Sequence, residues 1–228
     1  MEIIILSGGL GTRLRSVVSE VPKVMAPING KPFLEYVLDD MNDQGIDRVI
    51  LATGYKKEYI KDYFGDKYKN IELDYSEEDT PLGTGGAIKK ALSKCKDDNP
   101  IVMYGDIYTK TDYKDLYENH IENHNDATFS LKYMENFSRY GSVSLKDKRI
   151  TEFKEKTFVD KGYMNVGIYV LNKNILSNVE KNKPFSLEKE FFEESVNKYN
   201  FSSHIYDGIF IDIGIPEDYK LATNIISN

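Results

Sequence analysis

An α/β fold around one mostly parallel sheet is predicted by two features of the 228-residue chain. Short β-rich runs at residues 3–6, 49–53, 71–75 and 101–104 alternate with helix-like stretches at 32–44, 58–64 and 86–94. Strand and helix alternating at this spacing build right-handed βαβ units. The second feature is the turn Ser7-Gly8-Gly9-Leu10-Gly11-Thr12-Arg13, which follows the first run directly. It falls at the carboxyl end of a strand, where open α/β sheets bind their ligands.

A further helix is expected over 113–123, after which the pattern changes. Residues 127–133, 141–145, 150–154 and 163–171 read as strands with few helices between them, a mixed, hairpin-rich extension of the sheet. Ser186 is placed to cap a helix from 187 to about 197, with Leu187, Phe191 and Phe192 inward. Residues 209–212 form the last expected strand, and Pro216 opens a terminal helix at its first turn. No linker divides these halves, so one domain over 1–228 is expected.

Apolar residues make up 40% of the chain, enough for a core, and the net charge is −7. An acidic chain lacks the basic footprint that duplex nucleic acid requires. It can still hold one small anion with a few placed cations. Cys95 is the only cysteine, which excludes an intrachain disulfide. The first apolar run is too short for a signal peptide, and no stretch approaches the roughly 20 apolar residues of a membrane span. The expectation is a soluble, cytoplasmic protein with no membrane partner.

The Gly8–Arg13 turn fits neither familiar phosphate loop. A dinucleotide fingerprint needs a third glycine where Leu14 stands. A Walker loop fails at Gly30-Lys31, which is followed by Pro32. What remains is a turn whose amides approach phosphates, with Arg13 as a charged fork. Val21-Pro22-Lys23-Val24-Met25-Ala26-Pro27 then displays one lysine on a segment whose prolines forbid a regular helix or central strand. A surface lysine is the plain alternative.

These stretches, with Lys31-Pro32, resemble the signature of sugar-1-phosphate nucleotidyltransferases, and the likeness runs nearly end to end. The resemblance implies a Rossmann-like mixed sheet flanked by helices, with a nucleotide-binding half of about 1–111 and a sugar-phosphate half of about 112–228. It implies that Arg13 and Lys23 act on the reacting phosphates. Nucleotide contacts are implied at Leu6, Gly8, Gly9, Gly11, Thr12, Glu78, Gly83 and Thr84.

The stretch Ser76-Glu77-Glu78-Asp79-Thr80-Pro81-Leu82-Gly83-Thr84-Gly85-Gly86-Ala87 reads by itself as an acidic loop and a helix start. The resemblance lays it over base and ribose, with glycines letting the backbone approach a flat ring. Glu78 falls where uridylyl- and thymidylyltransferases of the family often carry glutamine. An ionised carboxylate only accepts, which suits the adjacent N–H donors of guanine and mismatches a uracil carbonyl. GTP is therefore expected, with Glu77 or Asp79 as alternative readers.

Asp106, after Ile101-Val102-Met103-Tyr104-Gly105, and Asp212, within Phe210-Ile211-Asp212-Ile213-Gly214, both stand at strand ends. One such aspartate is usually a cap or turn residue. Two in a phosphate-binding fold suggest Mg²⁺, which needs only one or two carboxylates beside phosphates and water. The resemblance assigns both to the metal. His120 and His124 are read as a solvated helix face, since H-E-x-x-H is absent. On the sugar side, Tyr140, Gly141, Glu155, Lys156 and Asn165 resemble the acceptor pocket. Thr157 stands where many relatives have proline.

The reaction implied is attack by a sugar 1-phosphate on the α-phosphorus of GTP. Long stretches, Val21 to Glu35 among them, are similar to the family's D-glycero-α-D-manno-heptose 1-phosphate guanylyltransferases. The alternatives are mannose 1-phosphate as acceptor or UTP as donor. Readings from other classes are an inactive sugar-nucleotide-binding regulator and a glycosyltransferase. The first would have lost Arg13, Lys23 or an aspartate. The second usually carries D-x-D, where this chain has Tyr104-Gly105-Asp106. A homodimer is expected only because two-fold pairing is common.

Overall fold

The computed structural model of the chain describes residues 1–226 apart from Leu10, Thr12, Arg15, Ser16 and Ser19. The expected phosphate contact at Thr12 lies outside the described residues. The first half runs Glu2–Leu6 (β1), a 3-10 turn at Lys23–Met25, then Pro27–Ile28 (β2) and Lys31–Pro32 (β3). Phe33–Asp43 (α1), Arg48–Thr53 (β4), Lys57–Phe64 (α2), Lys67–Tyr68 (β5), Ile71–Glu77 (β6) and Gly83–Leu92 (α3) follow. Ile101–Tyr104 (β7), Ile107–Thr109 (β8) and Tyr113–Glu122 (α4) complete it. The second half runs Ala127–Phe137 (β9), Ser142–Lys146 (β10), Arg149–Lys154 (β11) and Val159–Leu171 (β12). After a π-helical turn at Leu187–Phe192 come Glu193–Ser195 (α5), Phe201–Ile205 (β13), Phe210–Asp212 (β14) and Pro216–Ile225 (α6).

Among the described residues, ten strands from both halves form one sheet, ordered β10-β11-β13-β9-β12-β7-β1-β4-β6-β5. The β7-β1-β4-β6 centre is parallel, and β12 joins it antiparallel to β7. Helices cover both faces, so central strands are apolar throughout and alternate residues feed two cores. Ile3 and Ile5 pack with Phe33, Leu34 and Val37 of α1. Ile4 packs on the other side with Ile88, Ala91 and Phe129.

Three expectations change. Phe201–Ile205 is an unforeseen interior strand, lying between β11 and β9. Phe210–Asp212, the expected last strand, leaves the main sheet and pairs antiparallel with β8. The helix expected after Ser186 begins as a π turn, with the Glu193 N–H bonded to the Glu188 carbonyl. Ser186 does cap it, accepting from Lys189 N, and Leu187, Phe191 and Phe192 are buried. Among the described residues, no helix is long and apolar enough to cross a membrane.

Candidate active site

The carboxyl ends of β1, β4 and β7 open into a cavity of about 560 Å³. Leu6, Gly8, Gly9, Gly11, Arg13, Lys23, Glu78, Gly83, Thr84 and Asp106 of the expected set all line it. Two of the glycines are required by close approach. A side chain at Gly8 would meet the Gly54 amide at 3.1 Å, so the loops after β1 and β4 touch back to back. Gly11 has φ +58°, a left-handed conformation, and a β-carbon there would lie 3.1 Å from that of Lys23. The turn thereby seats the lysine stem.

Lys23 opens the 3-10 turn behind Pro22, and its ammonium pairs with Asp106 Oδ2 and lies 3.8 Å from Asp212 Oδ1. The two aspartates are brought together by the β8–β14 ribbon, which sets Asp212 opposite Ile107. Gly214 N donates to Asp212 Oδ1 at 2.7 Å, and the Arg139 guanidinium bridges Asp212 Oδ2 at 3.2 Å and Asp218 Oδ2 at 2.6 Å. Burial, and then the charge of Asp106, push the Asp212 carboxyl above its ordinary value, with Lys23 opposing them. Two carboxylates converging on a cationic nitrogen form a donor set that fits a hard divalent cation completed by phosphate and water.

The three acidic candidates for base reading stand in different surroundings. Glu77 is engaged by Lys57 at 2.9 Å and Lys61 at 3.6 Å. Asp79 also lines the cavity, with its side chain 90% exposed and 3.5 Å from Lys57. Glu78 is half-buried and faces the cavity, with Oε2 held at 2.8 Å by Leu82 N. Burial raises its carboxyl above the usual range.

The glycines beside it serve a packing contact that the sequence reading did not foresee. Gly83, φ +68°, and Gly85 belong with Gly86 to the first turn of α3, which begins at Gly83 rather than at the expected residue 86. A β-carbon on Gly83 would come 2.5 Å from Phe185 O, and one on Gly85 would overlap the Phe185 ring.

The sugar-side candidates lie outside this cavity but meet one another. Asn165 N donates to Gly141 O at 2.8 Å, and a side chain on Gly141 would strike Glu155 Oε2 at 2.9 Å. Glycine there makes room for the carboxylate expected to meet the sugar. Lys156, with φ +49°, pairs with Glu155 at 2.8 Å and keeps an exposed side chain. Asn165 sits at a β-bulge in β12, donating to Tyr169 Oη at 2.7 Å and accepting from Gly167 N at 2.9 Å. Tyr140 packs edge-on against Phe210, beside Asp212.

Residues not singled out beforehand also line the cavity, among them Gly54, Tyr55 and Tyr104. Thr53-Gly54-Tyr55 carried a readable signal, a glycine directly after a predicted strand. The solvated-face reading of His120 is corrected. Its ring is 1% exposed, hydrogen-bonded to Thr128 Oγ1 at 3.0 Å and Asn99 Oδ1 at 3.1 Å. His124 is exposed, as expected.

Among the described residues, a ten-stranded mixed sheet with a glycine turn at a strand end, and a held lysine between two aspartates beside it, defines a nucleotide-handling α/β enzyme. The chain belongs to the nucleotidyl transferase family, which it matches over residues 2–228. It is 50% identical to D-glycero-alpha-D-manno-heptose 1-phosphate guanylyltransferase of Aneurinibacillus thermoaerophilus, over 97% of this chain and 96% of that one. It is 44% identical to the enzyme of the same name from Campylobacter jejuni, over 96% and 97%. The crystal structure of HddC from Yersinia pseudotuberculosis complexed with GMP-PN superposes with TM-score 0.85 at 39% identity, over 98% of both chains.

Proposed function

We propose that the protein transfers GMP from GTP to D-glycero-α-D-manno-heptose 1-phosphate, giving GDP-heptose and pyrophosphate for surface polysaccharide. The single cavity that gathers Gly8, Arg13, Lys23, Asp106 and the half-buried Glu78 carries this reading, together with the guanylyltransferase relatives.

A sugar phosphate oxygen forms the new bond to the α-phosphorus. The bond to the bridging oxygen breaks, and its electron pair leaves with pyrophosphate. No general base is required, because a phosphate monoester with a second pKa of about 6 is mostly dianionic at neutral pH. The protein's work is to align the two phosphates and meet charge as it moves towards the leaving group. Lys23, held on a proline-flanked turn beneath Gly11, presents a fixed cation to the reacting phosphates. Arg13 meets the triphosphate from the cavity rim. Asp106 and Asp212 would hold Mg²⁺, which supplies further charge neutralisation on the phosphates when bound. Glu78, positioned by Leu82 N, keeps acceptor capacity for the N1 and N2 hydrogens of guanine. Tyr140, Gly141, Glu155, Lys156 and Asn165 would receive the heptose phosphate.

Glu78→Gln tests the reading. Purified protein with Mg²⁺, GTP and the heptose phosphate should release pyrophosphate. The variant should lose about tenfold of the preference for GTP over UTP, the effect of one mismatched buried hydrogen bond. An unchanged ratio would remove Glu78 as the base reader.

A further inference from the structure

Glu188 is 6% exposed, yet three hydroxyl groups donate to its carboxylate. Thr84 Oγ1 donates to Oε2 at 2.9 Å, Ser186 Oγ donates to the same oxygen at 3.1 Å, and Tyr104 Oη donates to Oε1. Thr84 and Tyr104 both line the cavity, whereas Glu188 itself does not. The Leu187 amide donates to Thr84 Oγ1 at 2.9 Å. A hydroxyl has one proton and two acceptor sites. The proton of Thr84 and that of Tyr104 are therefore both spent on Glu188. Whatever capacity either hydroxyl retains is acceptor capacity alone.

The cluster lies in the wall of the nucleotide cavity and is joined to the sugar-side residue Asn165 through Tyr169. The Tyr104 ring meets Tyr169 edge-on at 6.5 Å, and the Tyr169 hydroxyl is held by Asn165 Nδ2 at 2.7 Å. Glu188 lies in the π turn, and such turns recur at functional sites. We propose that Glu188 is a positioning residue that fixes Tyr104 and Thr84 as acceptors, so that this wall selects the hydroxyl donors of the sugar 1-phosphate. The inference rests on the sugar-phosphate transfer reading above and adds a determinant of acceptor choice to it. Gln in place of Glu188 offers an amide that donates, which lets either hydroxyl turn its own proton towards the cavity.

The test uses the full chain, the heptose 1-phosphate and its monodeoxyfluoro analogues, in which one hydroxyl donor at a time becomes a weak acceptor. Wild-type protein should discriminate against fluorine at one or more positions by about tenfold in kcat/KM, the effect of one unpaired polar group. Glu188→Gln should raise KM for the natural sugar phosphate and shrink that discrimination to about threefold or less, with a smaller loss of GTP affinity by calorimetry than of sugar-phosphate affinity. Equal discrimination in both proteins overturns the proposal, as does an equal loss of GTP and sugar affinity. If Glu188→Gln does not fold, Tyr104→Phe decides, since it should lower the same discrimination and an unaltered pattern contradicts the idea. Wild-type protein that turns over no sugar phosphate overturns the transfer reading and this inference with it. Wild-type turnover with unaltered selectivity in the variants overturns this inference alone.

Discussion

At the scale of single residues, the legible positions are those whose chemistry is local. Glu78 stands four residues before Leu82, whose amide fixes it, and both lie within one short stretch. His120 is not legible in the sequence, because its partners come from elsewhere in the fold, Asn99 in the segment before β7 and Thr128 in β9. Burial holds its pKa down at about 4, against 6.5 when unfolded, with Asp126 and Asp97 opposing. The imidazole is therefore neutral in the native state. Below pH 6.5 the unfolded chain takes up a proton that the folded chain resists until about pH 4, so stability falls as pH drops through that window. Denaturant titrations of wild type and His120→Asn should converge as pH falls across it. Parallel curves would contradict the buried, neutral assignment.

At the scale of elements, apolar runs and caps marked most strands and helices, and the exceptions have physical causes. The strand Phe201–Ile205 carries Ser202, Ser203 and His204, a polar core that no hydrophobic pattern marks. Ser202 and Ser203 are nevertheless buried, because their hydroxyls bond the Lys148 carbonyl at 3.3 and 2.9 Å. The helix α3 starts three residues earlier than the sequence predicts, because Gly83 and Gly85 read as a loop. Only the tertiary contact with Phe185 shows why glycine is needed inside a helical turn. Gly85→Ala should therefore destabilise the fold by about 1–3 kcal/mol, the usual effect of overpacking. Gly9→Ala, whose added carbon meets nothing within 4 Å, should leave the melting temperature unchanged and serves as the control. Equal melting temperatures for both variants would show that the Phe185 contact does not constrain α3.

At the scale of the whole molecule, the cavity is lined by residues from Leu6 to Gly214, almost the full length of the chain. The motifs' resemblance to the nucleotidyltransferase signature named about half of these residues, since glycine turns and aspartates sit at strand ends whatever the strand order. The order itself, and the ribbon that carries Asp212 to Asp106, depend on long-range pairing that no local pattern encodes. The buried Glu188 network was equally hidden, because it joins α3, β7 and the π turn through side chains remote in sequence. The central claim is guanylyl transfer to a heptose 1-phosphate. It is tested most directly by ³¹P NMR of the protein with Mg²⁺, equimolar GTP and UTP, and the heptose 1-phosphate. The account predicts a nucleoside diphosphate-sugar pair of resonances and pyrophosphate, with GTP consumed and UTP left. Consumption of UTP in preference, or orthophosphate and GDP as the only products, would contradict it.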